Sequence, residues 1–90
     1  MDKVIITVVG KDTVGIIAKV CTYLADHKIN ILDISQTIVQ EYFNMMMIVD
    51  GRNANVSFDE MASGLDEIGA GIVVNIKCQR EEIFTKMHRI

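Results

Sequence analysis

A short segment near the amino terminus combines residue types that recognise small charged molecules. The sequence Gly10-Lys11-Asp12-Thr13-Val14-Gly15-Ile16 follows a β-branched run, 4–9, and leads into a stretch with helical periodicity. Free N–H groups at a helix N-terminus favour a carboxylate or a phosphate. The carboxylate of Asp12 can hold an ammonium, and Gly15 has no side chain to keep a ligand away. An amino acid carries both charges, so this segment suits one.

Each of these residues also has a purely structural interpretation. Asp12 and Thr13 are common N-cap residues, expected at the start of any helix. The two roles are compatible if Thr13 caps the helix and Asp12 faces the ligand. Gly15 could equally serve close packing of the helix against a strand.

Asn30 is the second candidate for ligand contact. Its side-chain amide both donates and accepts hydrogen bonds, which suits a carboxylate and an ammonium. The alternative is a helix C-cap, where asparagine is common. We expect the loop that holds Asn30 to lie close to the first loop.

The hydrophobic pattern changes period several times along the chain and predicts the elements that position these residues. Ser57 with Glu60 forms a capping-box pattern that marks a helix start. The predicted elements are a strand at 4–9, a helix at 13–27, a strand at 30–39 with Leu32, Ile34 and Ile38 on one face, a turn at 40–44, a strand at 45–49, a helix from Ser57 to a stop at Gly69-Ala70-Gly71, a strand at 72–79 and a short helix at 81–90.

The order β-α-β-β-α-β predicts an α+β fold. Right-handed crossovers turn this order into a ferredoxin-like sandwich, an antiparallel sheet with both helices on one face. Strands 4–9 and 45–49 are apolar on both faces and should be central, whereas the other two alternate with polar residues and should be edges. We therefore predict one domain at 1–80 and a short C-terminal helical extension at 81–90.

The two central strands predict an apolar sheet face that the helices leave uncovered. Ile5 and Val9 alternate with the rest of the first strand, and Met46 and Ile48 alternate with the rest of the third. One set must point away from the helices, and an exposed apolar patch usually marks an interface. The pattern predicts a homo-oligomer, most simply a two-fold dimer.

Composition narrows the classes of function. The net charge is −3 without a basic stripe, which argues against nucleic acid or a membrane surface as partner. No apolar run approaches a membrane span and no signal peptide precedes the first strand, so we expect a cytoplasmic protein. Cys21 and Cys78 read as buried free thiols. We expect no cofactor and no metal: Met45-Met46-Met47 alternate between sheet faces and cannot converge on one ion, and His27 and His88 lack paired ligands.

Two segments resemble the signatures of a known family. Asp12-Thr13-Val14-Gly15-Ile16 matches D-x-x-G-I and Asn30-Ile31-Leu32-Asp33 matches N-I-x-D, the signatures of ACT domains. With the element order and the segment 40–50, the chain resembles the small stand-alone ACT-domain proteins of bacteria and archaea, which are similar to the glycine-cleavage-system regulator. The resemblance implies a non-catalytic regulatory domain that dimerises and binds amino acids or similar metabolites near its interface. It assigns ligand contacts to Asp12, Thr13, Val14, Gly15, Ile16, Asn30 and Ile31.

Two functions follow from these observations. The first is a sensor whose bound amino acid alters a dimer that signals through a separate partner protein. The second is a ligand-free interaction module that uses its open sheet face or its C-terminal helix. An acylphosphatase-like enzyme would need an arginine in the first loop, a metallochaperone C-x-x-C, and an RNA-binding protein aromatic residues on the central strands. The sequence has none of these patterns.

Overall fold

The computed structural model describes residues 1–11, 15–72 and 74–81. Within these ranges the chain forms four strands and two helices in the order β-α-β-β-α-β. The elements are β1 (Lys3–Lys11), α1 (Ile16–Asp26), β2 (Asn30–Val39), β3 (Tyr42–Asp50), α2 (Phe58–Ile72) and β4 (Val74–Arg80). The predicted ferredoxin-like sandwich is confirmed, while the extension predicted at 81–90 lies outside the described residues beyond Glu81.

The four strands form one antiparallel sheet in the order β2-β3-β1-β4. The apolar strands β1 and β3 are central and the alternating strands β2 and β4 are edges, as the sequence predicts. Both β1 and β2 pair antiparallel with β3, so they run parallel to each other. The loop that follows β1 and the residue that begins β2 therefore lie at opposite ends of the sheet.

The helices cover one sheet face and enclose the core. Cross-strand partners share a face, which places the buried residues of the central strands beneath both helices. The fully buried side chains are Val4, Ile6, Val8, Ile16, Val20, Leu24, Met45, Met47, Val49, Met61 and Leu65. In α1 the buried row begins at Ile16, whereas Ile17 is exposed.

Two boundaries differ from the sequence prediction. The turn between β2 and β3 comprises only Gln40 and Glu41, because Gln40 adopts a left-handed φ of 57° without the usual glycine. Helix α2 does not stop at Gly69-Ala70-Gly71 but continues to Ile72. A Cβ on Gly69 would lie 2.7 Å from the carbonyl oxygen of Val74, so this glycine lets the helix pack closely on β4.

Strand β2 departs from simple alternation. Ile31 and Asp33 pair with consecutive residues of β3, so Leu32 is the extra residue of a β-bulge. Ile34 and Ile38 lie on the helix side of the sheet but remain exposed, because the helix layer does not cover this part of the edge. Leu32 has no partner in the register, so its predicted place on the face of Ile34 and Ile38 stays a prediction.

The other sheet face has no helix among the described elements. Ile5 and Val9 of β1 and Met46 and Ile48 of β3 share this face through the strand register. Val9 and Met46 are 44% and 41% exposed, and Tyr42 beside them is 55% exposed. The predicted apolar face is therefore open around Val9 and Met46 but not at Ile5, which is only 4% exposed. Neither helix of the described chain is long and apolar enough to cross a bilayer.

Candidate functional site

Helix α1 begins later than the sequence predicts, at a glycine N-cap. Gly15 is the N-cap, with φ 93° and ψ 0°, and its carbonyl accepts the first helical hydrogen bond from the Lys19 N–H at 2.9 Å. Thr13 is therefore not the N-cap, as it would be if the helix began there. Asp12, Thr13 and Val14 lie outside the described residues, so their contacts with a ligand stay a prediction.

Gly15 leaves open space at the helix start. A Cβ built on this residue has no described neighbour within 4 Å. The alternative that Gly15 serves close helix–strand packing is therefore wrong. The glycine instead provides the left-handed φ and leaves the first-turn N–H groups unobstructed at this position, which is a geometry that admits an anion.

Two of the predicted contact residues use their side chains for packing. Ile16 is 2% exposed and belongs to the core, and Ile31 is half-buried and packs against that core. What remains for a ligand at these positions is the backbone. For Ile16 this is the N–H of the first helical residue, which has no acceptor within the helix.

Asn30 is exposed and is the first residue of β2, not a helix C-cap. Helix α1 ends at Asp26 with His27 as its C-cap, and Lys28 takes the left-handed conformation with φ 59°. The Lys28 N–H donates to the Ala25 carbonyl at 3.2 Å and the Ile29 N–H to Leu24 at 2.9 Å. These two bonds form a Schellman motif. Asn30 is therefore not needed to end the helix.

The structure does not bring Asn30 to the first loop. Asn30 pairs with Asp50, which pairs with Lys3 at the start of β1, whereas the first loop follows Lys11 at the far end. Eight residue steps separate these ends, or about 26 Å at the rise of a strand. The expectation that the two loops lie together within one chain is wrong, because a crossover helix makes β1 and β2 parallel.

A fixed ion pair lies beside Asn30, and the sequence reading did not identify it. The Arg52 guanidinium donates to both carboxylate oxygens of Asp50, from Nη2 at 2.7 Å and from Nε at 3.1 Å. These bonds hold the pKa of Asp50 below its usual value. The only sequence signal was an acidic and a basic residue two positions apart in a loop, which is common on any surface.

The helix layer also contains an aromatic contact near the end of α1. The Tyr23 and His27 rings lie 4.2 Å apart, and His27 Nδ1 lies 2.8 Å from the Tyr23 carbonyl oxygen. Desolvation raises the pKa of Tyr23. Tyr23 packs over Gly64 of α2, which explains a glycine inside that helix. Among the described residues, no three His, Cys, Asp or Glu side chains form a metal-binding group.

Known proteins share this sequence and this geometry. The family model described as the ACT domain matches residues 2–77. A UPF0237 protein of Bifidobacterium longum is 67% identical over 90 residues, covering all of both chains. An ACT domain protein from Streptococcus pneumoniae superposes with a TM-score of 0.79 at 41% identity, covering 91% of this chain and 92% of that one. A putative glycine cleavage system transcriptional repressor shares the fold, with a TM-score of 0.74 at 22% identity over 86% of this chain and 44% of its own.

The element order and the strand order together define a ferredoxin-like sandwich. The chain belongs to the ACT domain family, with relatives in bacteria and in archaea. ACT domains are typically regulatory domains that bind small ligands, and they commonly dimerise.

Proposed function

We propose that this protein is a non-catalytic regulatory module that binds an amino acid or a similar small metabolite between two copies of the chain. The observation that carries the proposal is the separation of its two candidate contacts. The first loop and Asn30 lie at opposite ends of one sheet, about 26 Å apart. A single amino acid is much shorter, so it can contact both only if a second copy supplies one of them.

The exposed edge of β2 supplies a way to bring the two contacts together. An unpaired edge strand offers its backbone N–H and C=O groups to another strand, and proteins usually block such edges with lysine or proline. β2 spans ten residues without lysine or proline, its charged Asp33 and its bulge lie near its start, and it exposes several apolar side chains on its surface. These are Leu32, Ile34, Ile38 and Val39. A second copy of β2 is therefore a fitting partner.

A two-fold axis through this edge pairs β2 antiparallel with itself. Asn30 of one protomer then lies opposite Val39 of the other when the strands overlap fully. Within its own chain Val39 pairs with Tyr42, which pairs with Lys11, the last residue before the first loop. The pairing thus moves Asn30 from the wrong end of its own sheet to the loop end of the partner's sheet, one site for each copy.

Each group has a chemical role in such a site. The N–H groups at the start of α1 suit the ligand carboxylate, since the helix dipole favours negative charge there. Asp12 suits the ammonium, and the Asn30 amide from the other copy suits either charge. Gly15 leaves the space that a ligand backbone needs. Thr13, Val14, Ile16 and Ile31 contribute backbone contacts and walls in this proposal.

The signal would pass to a separate partner protein in the cytoplasm. The free thiols Cys21 and Cys78 are compatible with that reducing compartment. A ligand that contacts both protomers stabilises the dimer by its own binding energy, which links metabolite concentration to any surface that changes with dimerisation.

The open sheet face favours a second candidate, a ligand-free interaction module. Val9, Tyr42 and Met46 expose apolar surface there, and contiguous apolar surface commonly marks a protein interface. In this alternative a protein partner covers that face and no metabolite is involved. Substituting Met46→Glu would then abolish partner capture, whereas in the sensor it would leave metabolite affinity unchanged.

A thermal-shift screen against the amino acids and common nucleotides tests the proposal. At 100 times its dissociation constant a ligand stabilises the folded state by about 2.7 kcal/mol, which is roughly 10–20 °C in a domain of this size. Asp12→Ala and Asn30→Ala should each remove the shift. Asp26→Ala and Asn53→Ala, exposed positions elsewhere, are the matched controls. A flat panel on a folded dimer would overturn the sensor and favour the interaction module.

A further inference from the structure

A cavity lies at the end of the sheet opposite the first loop. It encloses about 680 Å³ where β1 begins and β4 ends, and its walls are Met1, Asp2, Lys3, Arg52, Arg80 and Glu81. Small-molecule sites commonly measure about 300–1,000 Å³. The cavity lies away from the first loop but adjoins the Asn30 end of β2, because its lining residue Arg52 is bonded to Asp50, the partner of Asn30.

Two of the cations in this wall are held in place by neighbours. The guanidinium carbon of Arg80 lies 4.8 Å from the centre of the Phe58 ring, a cation–π contact. Arg52 is fixed by its two-pronged bond to Asp50. Side chains that are already ordered lose little freedom when a ligand binds. The wall is therefore a preorganised pair of guanidinium groups with the Lys3 ammonium nearby.

The chemistry of the wall favours a strong anion. Asp50 uses the Nε and one Nη2 donor of Arg52, which leaves three of the five guanidinium donors for another acceptor. The cations Lys3, Arg52 and Arg80 are opposed by the carboxylates of Asp2 and Glu81, and Asp50 also opposes Arg52 through its direct bonds. A ligand with a single carboxylate gains little net attraction from a wall that contains both cations and carboxylates. A phosphate carries more charge and matches the guanidinium fork.

We propose that this cavity binds a small molecule that carries a phosphate or pyrophosphate group. Arg80 and Arg52 donate to the phosphoryl oxygens, and Lys3 adds charge at the start of β1. The chain would then respond to two kinds of ligand.

Titration with inorganic pyrophosphate, at ionic strength matched with sodium chloride, tests this site. We expect saturable shifts of the Arg52 and Arg80 Nε–Hε signals in ¹H–¹⁵N spectra, together with the amide signals of Asp2 and Lys3. Arg80→Gln should weaken binding at least tenfold, and Arg80→Lys should weaken it less. Lys77→Gln, the same loss of charge at an exposed position outside the cavity, should change affinity less than twofold.

Three results would overturn the proposal. They are the absence of saturable shifts, shifts that sodium chloride alone reproduces, and equal weakening by Lys77→Gln and Arg80→Gln. Because Arg80→Gln also removes the contact with Phe58, its melting temperature is measured first. If that variant unfolds, Arg52→Gln is the deciding one, since Arg52 is a surface side chain. None of these results depends on the amino-acid site, so the two proposals can fail separately.

Discussion

The left-handed conformation of Gly15 predicts opposite effects for the two enantiomers of alanine. At φ 93° an L-alanine is strained by about 1–2 kcal/mol, and alanine is also a poorer N-cap than glycine. Alanine also lowers the conformational entropy of the unfolded chain, which stabilises the folded state by roughly 0.4–1 kcal/mol. We therefore expect Gly15→Ala to destabilise the protein by about 1 kcal/mol, or roughly 4–8 °C. No described atom lies within 4 Å of the added Cβ, so a clash does not contribute.

D-alanine at the same position should stabilise the fold, by about 0.4–1 kcal/mol, since it accepts positive φ and keeps the entropic gain. Chemical ligation at Cys21 gives access to both forms, and urea denaturation measures them. Gly71 is the control, because it lies in α2 with open space at its Cβ. There L-alanine should stabilise by up to about 1 kcal/mol and D-alanine should not. Equal effects of the two enantiomers at Gly15 would refute the left-handed helix start.

Three further predictions concern the rest of the fold. A Cβ on residue 64 would lie 2.7 Å from the Tyr23 ring, so Gly64→Ala should destabilise the wild type, because overpacking costs about 1–3 kcal/mol and the gain in helix propensity is near 1 kcal/mol. In a Tyr23→Ala background the clash is absent, and the same substitution should stabilise the protein. A double-mutant cycle that shows no coupling between the two positions would contradict this. Ser57→Ala should cost about 1 kcal/mol in urea unfolding, since its Oγ accepts the Glu60 N–H at 3.2 Å, and an unchanged midpoint would count against the cap. Burial raises the pKa of the Cys78 thiol to about 11. Since the thiol of the unfolded chain loses its proton at lower pH, the free energy of unfolding should fall as pH rises from about 9 toward 11. Cys78→Ser should reduce this fall when denaturation is measured across that pH range.

The fold was predictable because each level of the sequence points to the same structure. The change between period-two and helical patterns gave the element order, and doubly apolar strands marked the centre of the sheet. The capping box at Ser57 and Glu60 is present with both hydrogen bonds, at 3.1 and 3.2 Å. These signals are local, so they can be read from the sequence without knowledge of tertiary contacts.

The boundaries failed where a residue adopted an unusual conformation or met a distant neighbour. Gln40 and Lys28 take positive φ without being glycine or asparagine, so no turn signal announced them. Gly69 looks like a helix stop, but its absent side chain accommodates β4. Tertiary contact decides such positions, and a single sequence does not list tertiary contacts.

The candidate site was predictable in part. Gly15 lies at the helix start, which comes later than the predicted Thr13, and Asn30 is exposed. Asp12, Thr13 and Val14 lie outside the described residues, and ligand contact stays a prediction. The error was to place Asn30 beside the first loop. That error concerned topology rather than residue chemistry, because a β-α-β unit makes its two strands parallel and separates their beginnings from their ends. Correcting it is the basis of our proposal that two copies of the chain share the site.

Complementation between two defective variants tests that shared site most directly. With a metabolite identified by the screen, Asp12→Ala and Asn30→Ala proteins are unfolded, mixed in equal amounts, refolded and titrated by calorimetry. Neither variant alone should bind. If the site is shared, each mixed dimer has one intact site out of two, because the chain that keeps Asp12 meets the chain that keeps Asn30. Mixed dimers form half of the sample. Binding should therefore return with wild-type affinity at one quarter of the wild-type stoichiometry. If the mixture binds no better than its two components, the site does not combine Asp12 of one copy with Asn30 of the other, and the account is wrong.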